Sequence, residues 1–478
     1  MPALAHTAMS HPRPLVALFY ARLGDSRLAE FEAVWQRHTG APVAWCWDPR
    51  PLRHHGGDVG PRIVQWLPPL PEAQHRALAD TAARSVTCRG VFEVWGHGRT
   101  LAECAEAAAR VPTPHIRDRI RGSWKVESAV LGARHSAVHR DLGARMVHFG
   151  AVLDALTDRP VDLHTPHHRI WLVEDRQLLH DKQPLPEPPP PFLLLYQLPA
   201  RAPSIQQRLH QLALDRRAFL STSTLPPARA LQLCNLALAH APRSPESSAD
   251  TSHVAHTVPS TTLLDPYCGS GGILLAAAAL GARTVGSDLD WRMVSNHPWP
   301  VQIPPSAARP DRGVEAVRMH DNFEEADLPP PGALLELDVS APDAAARLLA
   351  ANGGQRFDAL VCDPPYGRRE FQRGERAWRG ELTFRVDAAT LAGTIRALLQ
   401  LADHTLASTG RLVCLVPVRS PKDLGKPTPS ELAHLLDQLG ERIGLTRIHV
   451  GVEAVHRGLH RAVVVMERRE GPQRSPGP

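Results

Sequence analysis

The sequence has little that would staple, anchor or repeat it. Seven cysteines, at positions 46, 88, 104, 234, 268, 362 and 414, form no CxxC pair and no disulfide-like spacing, so a reducing compartment is the simpler reading. The longest early apolar run, Leu15 to Ala21, is too short to span a bilayer. It also lacks the basic leader and small-residue cleavage site of a secretory signal. A soluble, cytoplasmic protein with no membrane association is therefore expected. Met1 to Pro12 contains no acid, and a frayed terminus is a better reading of it than a targeting tail. No repeat of about 20 to 50 residues is present. Neither sign of charge dominates: 54 Lys and Arg against 49 Asp and Glu leave +5, which permits a polyanionic partner without demanding one. His164, His167 and His168 have no cysteine or carboxylate cluster beside them, so no metal is expected.

At 478 residues the chain exceeds one ordinary core and calls for several domains. Proline, at 46 residues, punctuates it. The run Pro184 to Pro191 reads as extended polyproline II, and Pro242 to Ser260 as a polar, disordered insertion. The tail 471–478 reads as disordered. The first part alternates strand-like PLVALFYARL and SVTCRGVFEVWGHG with helical RLAEFEAVWQRH and TLAECAEAAARV, which suits a small α+β domain. A second small α/β unit follows from about Gly122. From Ser260 short apolar strands alternate with helices, predicting a parallel sheet covered on both faces. In order these are strand TTLLDPYC, helix GGILLAAAALG, strand RTVGSDLD, strand LLELDVS, strand DALVCDPPYG and, after a long helix, strand RLVCLVPV. LTRIHVGVEAV and RAVVVMER read as an antiparallel pair that closes the sheet.

The chemistry-bearing residues sit at strand ends. Asp265, Pro266, Cys268, Gly269, Ser270 and Gly271 lie in DPYCGSGG, a glycine turn that lets a ligand approach a helix N-terminus. The spacing lacks the last glycine of GxGxxG, so the turn alone is weak evidence for a dinucleotide. About twenty residues on, Asp288 can accept from both hydroxyls of a ribose. Turn and acid together indicate an adenosine-containing cofactor. Asp338, after a third strand, can accept from an adenine amine; Glu336 is an alternative, and a helix N-cap near Ser340 and Asp343 stays open. The fourth strand ends in DPPY, Asp363, Pro364, Pro365 and Tyr366. A carboxylate and a carbonyl stiffened by two prolines are paired acceptors for an exocyclic NH2, and Tyr366 offers a face for a flipped base. Such a pair holds the amine in line with an electrophilic methyl, which identifies the cofactor as S-adenosylmethionine. Arg368 and Arg369 are candidate substrate contacts. So are Lys125 and the aromatic Trp124, which stand in a basic stretch with Arg117, Arg119, Arg121, Arg134, Arg140 and Arg145.

The blocks FEVWGHG, RLAEFEAVW, DPYCGSGGILLAAAALGARTVGSDLD, CDPPYGRRE and HRAVVVMER together resemble the catalytic subunits of the eukaryotic tRNA (guanine(10)-N2)-methyltransferases, over most of the chain. That resemblance implies a ferredoxin-like domain over 1–121, a THUMP domain that docks tRNA over 122–203, and a Rossmann-like class I methyltransferase domain over 204–470. It implies methyl transfer from S-adenosylmethionine to the exocyclic N2 of a guanine in tRNA. It also implies a small zinc-binding activator subunit as partner. By the same resemblance Ser223 and Thr224 fall on a cofactor-capping polar pair, and Asn322 on an asparagine before the third strand. Pro226 stands where the family has an acid. The rival readings are another exocyclic-amine methyltransferase, acting on adenine, cytosine or a glutamine amide, and a non-catalytic RNA-binding protein.

Overall fold

A computed structural model describes residues 13–20, 26–43, 47, 52–53, 59–60, 63–68, 70–131, 142–175, 191–221, 224–241, 261–295, 318–365, 388–418, 428–456 and 459–468. The proline run 184–191, the insertion 242–260 and the tail 471–478 lie outside them. The chain divides into two compact units, the first made of Met1–Ala21, Val43–Arg84 and Cys88–Pro203, the second of Arg22–Pro42, Ser85–Thr87 and Ser204–Pro478. Among the described residues no helix is long and apolar enough to cross a membrane.

The first unit contains strands β1 (Leu15–Phe19), β2 (Leu52–Arg53), β3 (Val59–Gly60), β4 (Val64–Leu67), β5 (Cys88–Gly98), β6 (Trp124–Leu131), β7 (His168–Asp175) and β8 (Phe192–Gln197). Strands β2 and β3 pair only with each other. The other six form one sheet in the order β4-β1-β5-β8-β7-β6, antiparallel except between β6 and β7. The sheet runs across the expected division at 121–122. Strand β5 from one side of that boundary pairs with β8 from the other, and Val16, Phe92, Val173 and Leu195 share one core cluster. The WGHG block has a packing reason. A Cβ at Gly96 would lie 2.4 Å from the Cys104 carbonyl oxygen, and one at Gly98 2.5 Å from the Cys104 nitrogen, so only glycine lets the helix Leu101–Ala109 lie this close to β5.

The second unit carries β9 (Thr262–Asp265), β10 (Arg283–Asp288), β11 (Ala333–Glu336), β12 (Phe357–Cys362), β13 (Leu406–Val418), β14 (Leu445–His456) and β15 (Leu459–Arg468). Their order is β11-β10-β9-β12-β13-β15-β14, parallel except for β15, which runs antiparallel to both of its neighbours. The α/β class and the antiparallel closing pair are as the sequence predicts. Successive residues feed two cores, as a sheet covered on both faces requires. Leu263, Ala359, Val361, Val413 and Leu415 pack with the helices Pro227–Ala237 and Gly272–Ala279. Leu264, Leu360, Cys362, Leu412 and Val416 pack with the helices Ala344–Ala351, Ala388–Thr405 and Pro429–Ile443. The third strand stops at Glu336, short of the expected LLELDVS, and the long helix ends at Thr405 because LASTG already belongs to β13.

The helix Arg27–Thr39, expected in the first domain, belongs to the second unit, and a buried carboxylate holds it there. Glu30 accepts from the Ser85 hydroxyl, from Val86 N at 2.8 Å, from the Thr87 hydroxyl at 2.5 Å and from Asn235 Nδ2 at 2.6 Å. These donors come from the segment 85–87 and from the helix Pro227–Ala237. Glu30→Gln replaces one acceptor by a donor facing donors, so a stability loss of roughly 2–4 kcal/mol is expected, read as a lower urea midpoint. An unchanged midpoint would mean that this cluster does not hold the helix.

At the other edge, His449 Nε2 lies 3.0 Å from the Ser26 hydroxyl at the start of the same helix. Burial, with Arg447 nearby, pushes the His449 pKa down to about 4. The unfolded imidazole titrates near its ordinary value of about 6.5, so this stabilisation is present above that pH and is lost as pH falls towards 4. A loss of no more than about 3 kcal/mol is expected over that window, and His449→Gln should remove it. Urea midpoints measured at several pH values check this; equal slopes in both proteins would refute it.

Candidate cofactor and catalytic site

Strand β9 lies between β10 and β12, and the chain departs from it in opposite directions. The crevice at the carboxyl ends of these strands is thus the switch point where open α/β sheets bind ligands. Parallel pairing of Leu263 with Ala359 and Leu264 with Leu360 sets the turn after β9 beside Asp363 at the end of β12.

The turn is fixed by its neighbours. Gly269 N donates to Asp288 Oδ2 at 2.8 Å, Cys268 N to the Ser287 carbonyl at 2.9 Å, and the Ser287 hydroxyl to the Pro266 carbonyl at 3.2 Å. Asp288 Oδ1 also accepts from Asp290 N at 2.9 Å. With about four lone-pair sites, the carboxylate keeps acceptor capacity for a ligand hydroxyl. Gly269 and Gly271 both take left-handed backbone, with φ of +50° and +81°. A Cβ at Gly271 would lie 2.8 Å from Met319 Sδ, whereas one at Gly269 would meet nothing within 4 Å. The first glycine of the turn therefore faces open space, and the second faces packed protein.

Three carboxylates meet here in different surroundings. Asp265 is fully buried and accepts from Tyr267 N at 3.1 Å; burial, with Asp288 and Asp363 nearby, raises its pKa well above the carboxylate range. Burial raises Asp288 too, against the hydrogen bonds from Asp290 and Gly269. Asp363 is half-buried, and Arg461 Nη1 of β15 lies 3.5 Å from its Oδ2. Arg461 Nη2 is in turn 3.1 Å from Glu453 Oε1, and Glu453 is paired with the buried Arg229. Pro364 is buried and Pro365 half-buried.

Other predicted residues fall differently. The Thr224 hydroxyl lies 2.9 Å from that of Ser270 and donates to the Ser221 carbonyl at 2.8 Å. Its described companion is Ser221, whose hydroxyl is 3.4 Å from that of Ser270. Ser223, Tyr366, Arg368, Arg369, Arg134 and Arg140 lie outside the described residues. Asp338 lies two residues beyond the end of β11. Its Oδ1 accepts from Ser340 N at 2.9 Å and from the Ser340 hydroxyl at 2.6 Å, a local turn that competes with strand extension. Trp124 is corrected: it is a core residue, 7% exposed, with Nε1 donating to the Arg159 carbonyl at 3.3 Å, and it presents no face to a base.

Lys125 is paired with Glu127 at 2.6 Å, Arg145 with Glu174, and Arg119 with Glu93 and Glu72. Much of the expected basic face is thus internally neutralised. His167 and His168 bond to Ser123 and Tyr196. Among the described residues no metal-ligand cluster forms.

Asn322 holds the segment around Phe219 against the turn. Asn322 Oδ1 accepts from Phe219 N, and Asn322 Nδ2 donates to the Phe219 carbonyl, both at 2.8 Å, with the Ser270 carbonyl 3.4 Å from Nδ2. Arg217, also buried, stands beside Gly272. Neither the spacing nor the residue type of Arg217 marks it in the sequence.

Residues 251–377 match the family described as UPF0020, RMKL-like, methyltransferase domain. The chain is 23% identical over 362 residues to the tRNA (guanine(10)-N(2))-methyltransferase of Gallus gallus, covering 71% of this chain and 68% of that one. It is 25% identical over 322 residues to a tRNA (guanine(10)-N2)-dimethyltransferase of Methanothermobacter thermautotrophicus, covering 67% of each. Among solved structures, TrmN from Thermus thermophilus aligns over 95% of this chain and 99% of that one, with 18% identity and a TM-score of 0.40. The second unit carries a methyltransferase domain with the class I sheet, and its cofactor is S-adenosylmethionine. The open space at Gly269, the acceptor sites left on Asp288 and the uncapped helix at Gly272 fit that molecule.

The two turn glycines should respond differently to the same change. Gly271→Ala adds a collision with Met319 to the left-handed strain and is expected to cost about 2–3 kcal/mol of stability. Gly269→Ala should cost about 1 kcal/mol yet weaken S-adenosylmethionine binding at least tenfold, because its methyl enters the open space. Urea unfolding and calorimetric titration separate the two; normal cofactor affinity in Gly269→Ala would sink the assignment of that space.

Proposed function

We propose that this chain is a tRNA guanine N2-methyltransferase. The observation that supports it most is the placement of Asp363, Pro364 and Pro365 beside the cofactor turn, with Asp363 in reach of Arg461. The two curated relatives above act, by their names, on guanine N2 in tRNA. When bound, S-adenosylmethionine supplies a methyl on a positively charged sulfur, which leaves as the neutral thioether as the amine lone pair forms the new N–C bond.

The protein's part is to aim that lone pair. A guanine N2 carries two hydrogens and has its lone pair drawn into the ring. Asp363 accepts one hydrogen and the carbonyl between Pro364 and Pro365 accepts the other, so the nitrogen pyramidalises towards the methyl. Positive charge grows on that nitrogen during attack, and the Asp363 carboxylate offsets it before the amine sheds its proton. Arg461 keeps this carboxylate oriented close to the buried Asp265, whose pKa is raised. Tyr366 stacks on the flipped base in this reading, and Arg368 and Arg369 engage the RNA backbone. The small zinc-binding activator subunit implied by the sequence resemblance belongs to the same proposal.

Labelled S-adenosylmethionine and unmodified tRNA, supplied to the chain with and without such an activator and followed by nucleoside analysis, test it. N2-methylguanosine is the expected product. Asp363→Ala should lower its formation at least a hundredfold with cofactor affinity within about threefold of wild type. A folded, cofactor-binding complex that methylates adenine, cytosine or a protein amide instead would overturn the guanine assignment.

A further inference from the structure

Arg217 is a buried cation with an unused donor. It is 7% exposed. Its Nε and Nη2 both donate to one acceptor, the Leu212 carbonyl, at 3.3 and 3.2 Å, and its Nη1 has no partner among the described residues. Burial pushes its pKa down to about 10, so it keeps its charge at neutral pH. Leaving a guanidinium buried without an anion costs several kcal/mol, which an anionic ligand would offset.

The unused donor points at the cofactor turn. A Cβ built on Gly272 would lie 3.4 Å from Arg217 Nη1. Gly272 opens the helix Gly272–Ala279, whose N-cap, Gly271, has no side chain to accept from the first-turn N–H groups. Those N–H groups and the helix dipole favour an anion at the same place. The surrounding segment is held rigidly. Phe219, two residues after Arg217, is clamped by Asn322, and Thr224 bonds to Ser270.

We propose that Arg217 binds the carboxylate of the amino-acid moiety of S-adenosylmethionine, acting with the N–H groups at Gly272. The inference rests on the cofactor assignment and is independent of which base is methylated. A guanidinium and a helix N-terminus converging on one point suit a carboxylate, which takes two parallel N–H bonds from one side and further bonds from the other. The adenosine end is then held by Asp288 and the amino-acid end by Arg217, fixing the sulfonium between two anchors.

The test compares calorimetric binding of S-adenosylmethionine and of decarboxylated S-adenosylmethionine to the full chain and to its Arg217→Met and Arg217→Lys variants. Wild type should bind S-adenosylmethionine at least tenfold more tightly than the decarboxylated compound. Arg217→Met should lose at least tenfold in affinity for S-adenosylmethionine, bind the decarboxylated compound within about threefold of wild type, and so lose most of the preference. Arg217→Lys, which keeps a positive charge at the site, should retain part of it. A wild-type protein that does not discriminate overturns the proposal without any variant. So does an Arg217→Met protein that keeps the wild-type ratio. A wild type that binds neither compound removes the cofactor assignment and this inference together.

Discussion

The hydrogen bond from Gly269 N to the Asp288 carboxylate is the constraint on which the site depends. It ties the turn after β9 to the end of β10, on one side of the crevice between β9 and β12 where the sheet changes direction. A glycine turn of this kind has backbone freedom in excess, and without an external tether it would sample many shapes. The proposed ligand group is also the tether: a carboxylate that receives N–H groups from the turn still has lone-pair capacity for a hydroxyl. In that reading cofactor recognition and turn geometry share a residue, and loss of one would disturb the other.

Around that tether the molecule invests in buried charge. Arg229, Glu453, Arg461 and Asp363 form a chain of opposite charges running from a core helix to the DPPY stretch. A buried pair is a poor source of net stability, because desolvation consumes much of the Coulomb gain. Its use here is geometric. Strand β13 separates β12 from β15, so an arginine spanning it holds the loop after β12 to a distant part of the fold. The same logic applies to Glu30, whose several donors draw a helix from early in the chain onto the second unit.

Much of the second unit was legible in the sequence. Apolar runs of four to six residues alternating with helices leave few choices other than a covered parallel sheet, and strands β9, β10 and β12 lie where the pattern puts them. The strand-end positions of Asp265 and Asp288 followed from that. What failed was set by competition or by distance. The apolar pattern runs the third strand on to LLELDVS, but an aspartate two residues before a serine can bond to the serine's backbone, and that local bond at Asp338 ends the ladder at Glu336. Trp124 was read with its basic neighbours as a binding face, yet an aromatic at the start of β6 gains more by burial, and those neighbours have acids in reach that charge counting cannot see. The expected split at 121–122 hid the β5–β8 pairing, because strands about a hundred residues apart carry no mark of partnership.

The capping segment shows why distance matters most at the site itself. Arg217, Phe219, Ser221 and Thr224 have no local pattern that distinguishes them from an ordinary loop. Their partners, Ser270 and Asn322, lie 46 to 103 residues further on. Only in three dimensions does it become evident that one backbone segment is held on two sides by the turn and by the helix Met319–Glu325. A loop so fixed can carry a buried arginine with an unused donor, since the lost freedom of the side chain is already covered by the packing around it. A cation positioned in that way, facing an uncapped helix, would select its ligand by charge before any contact with the adenine is made.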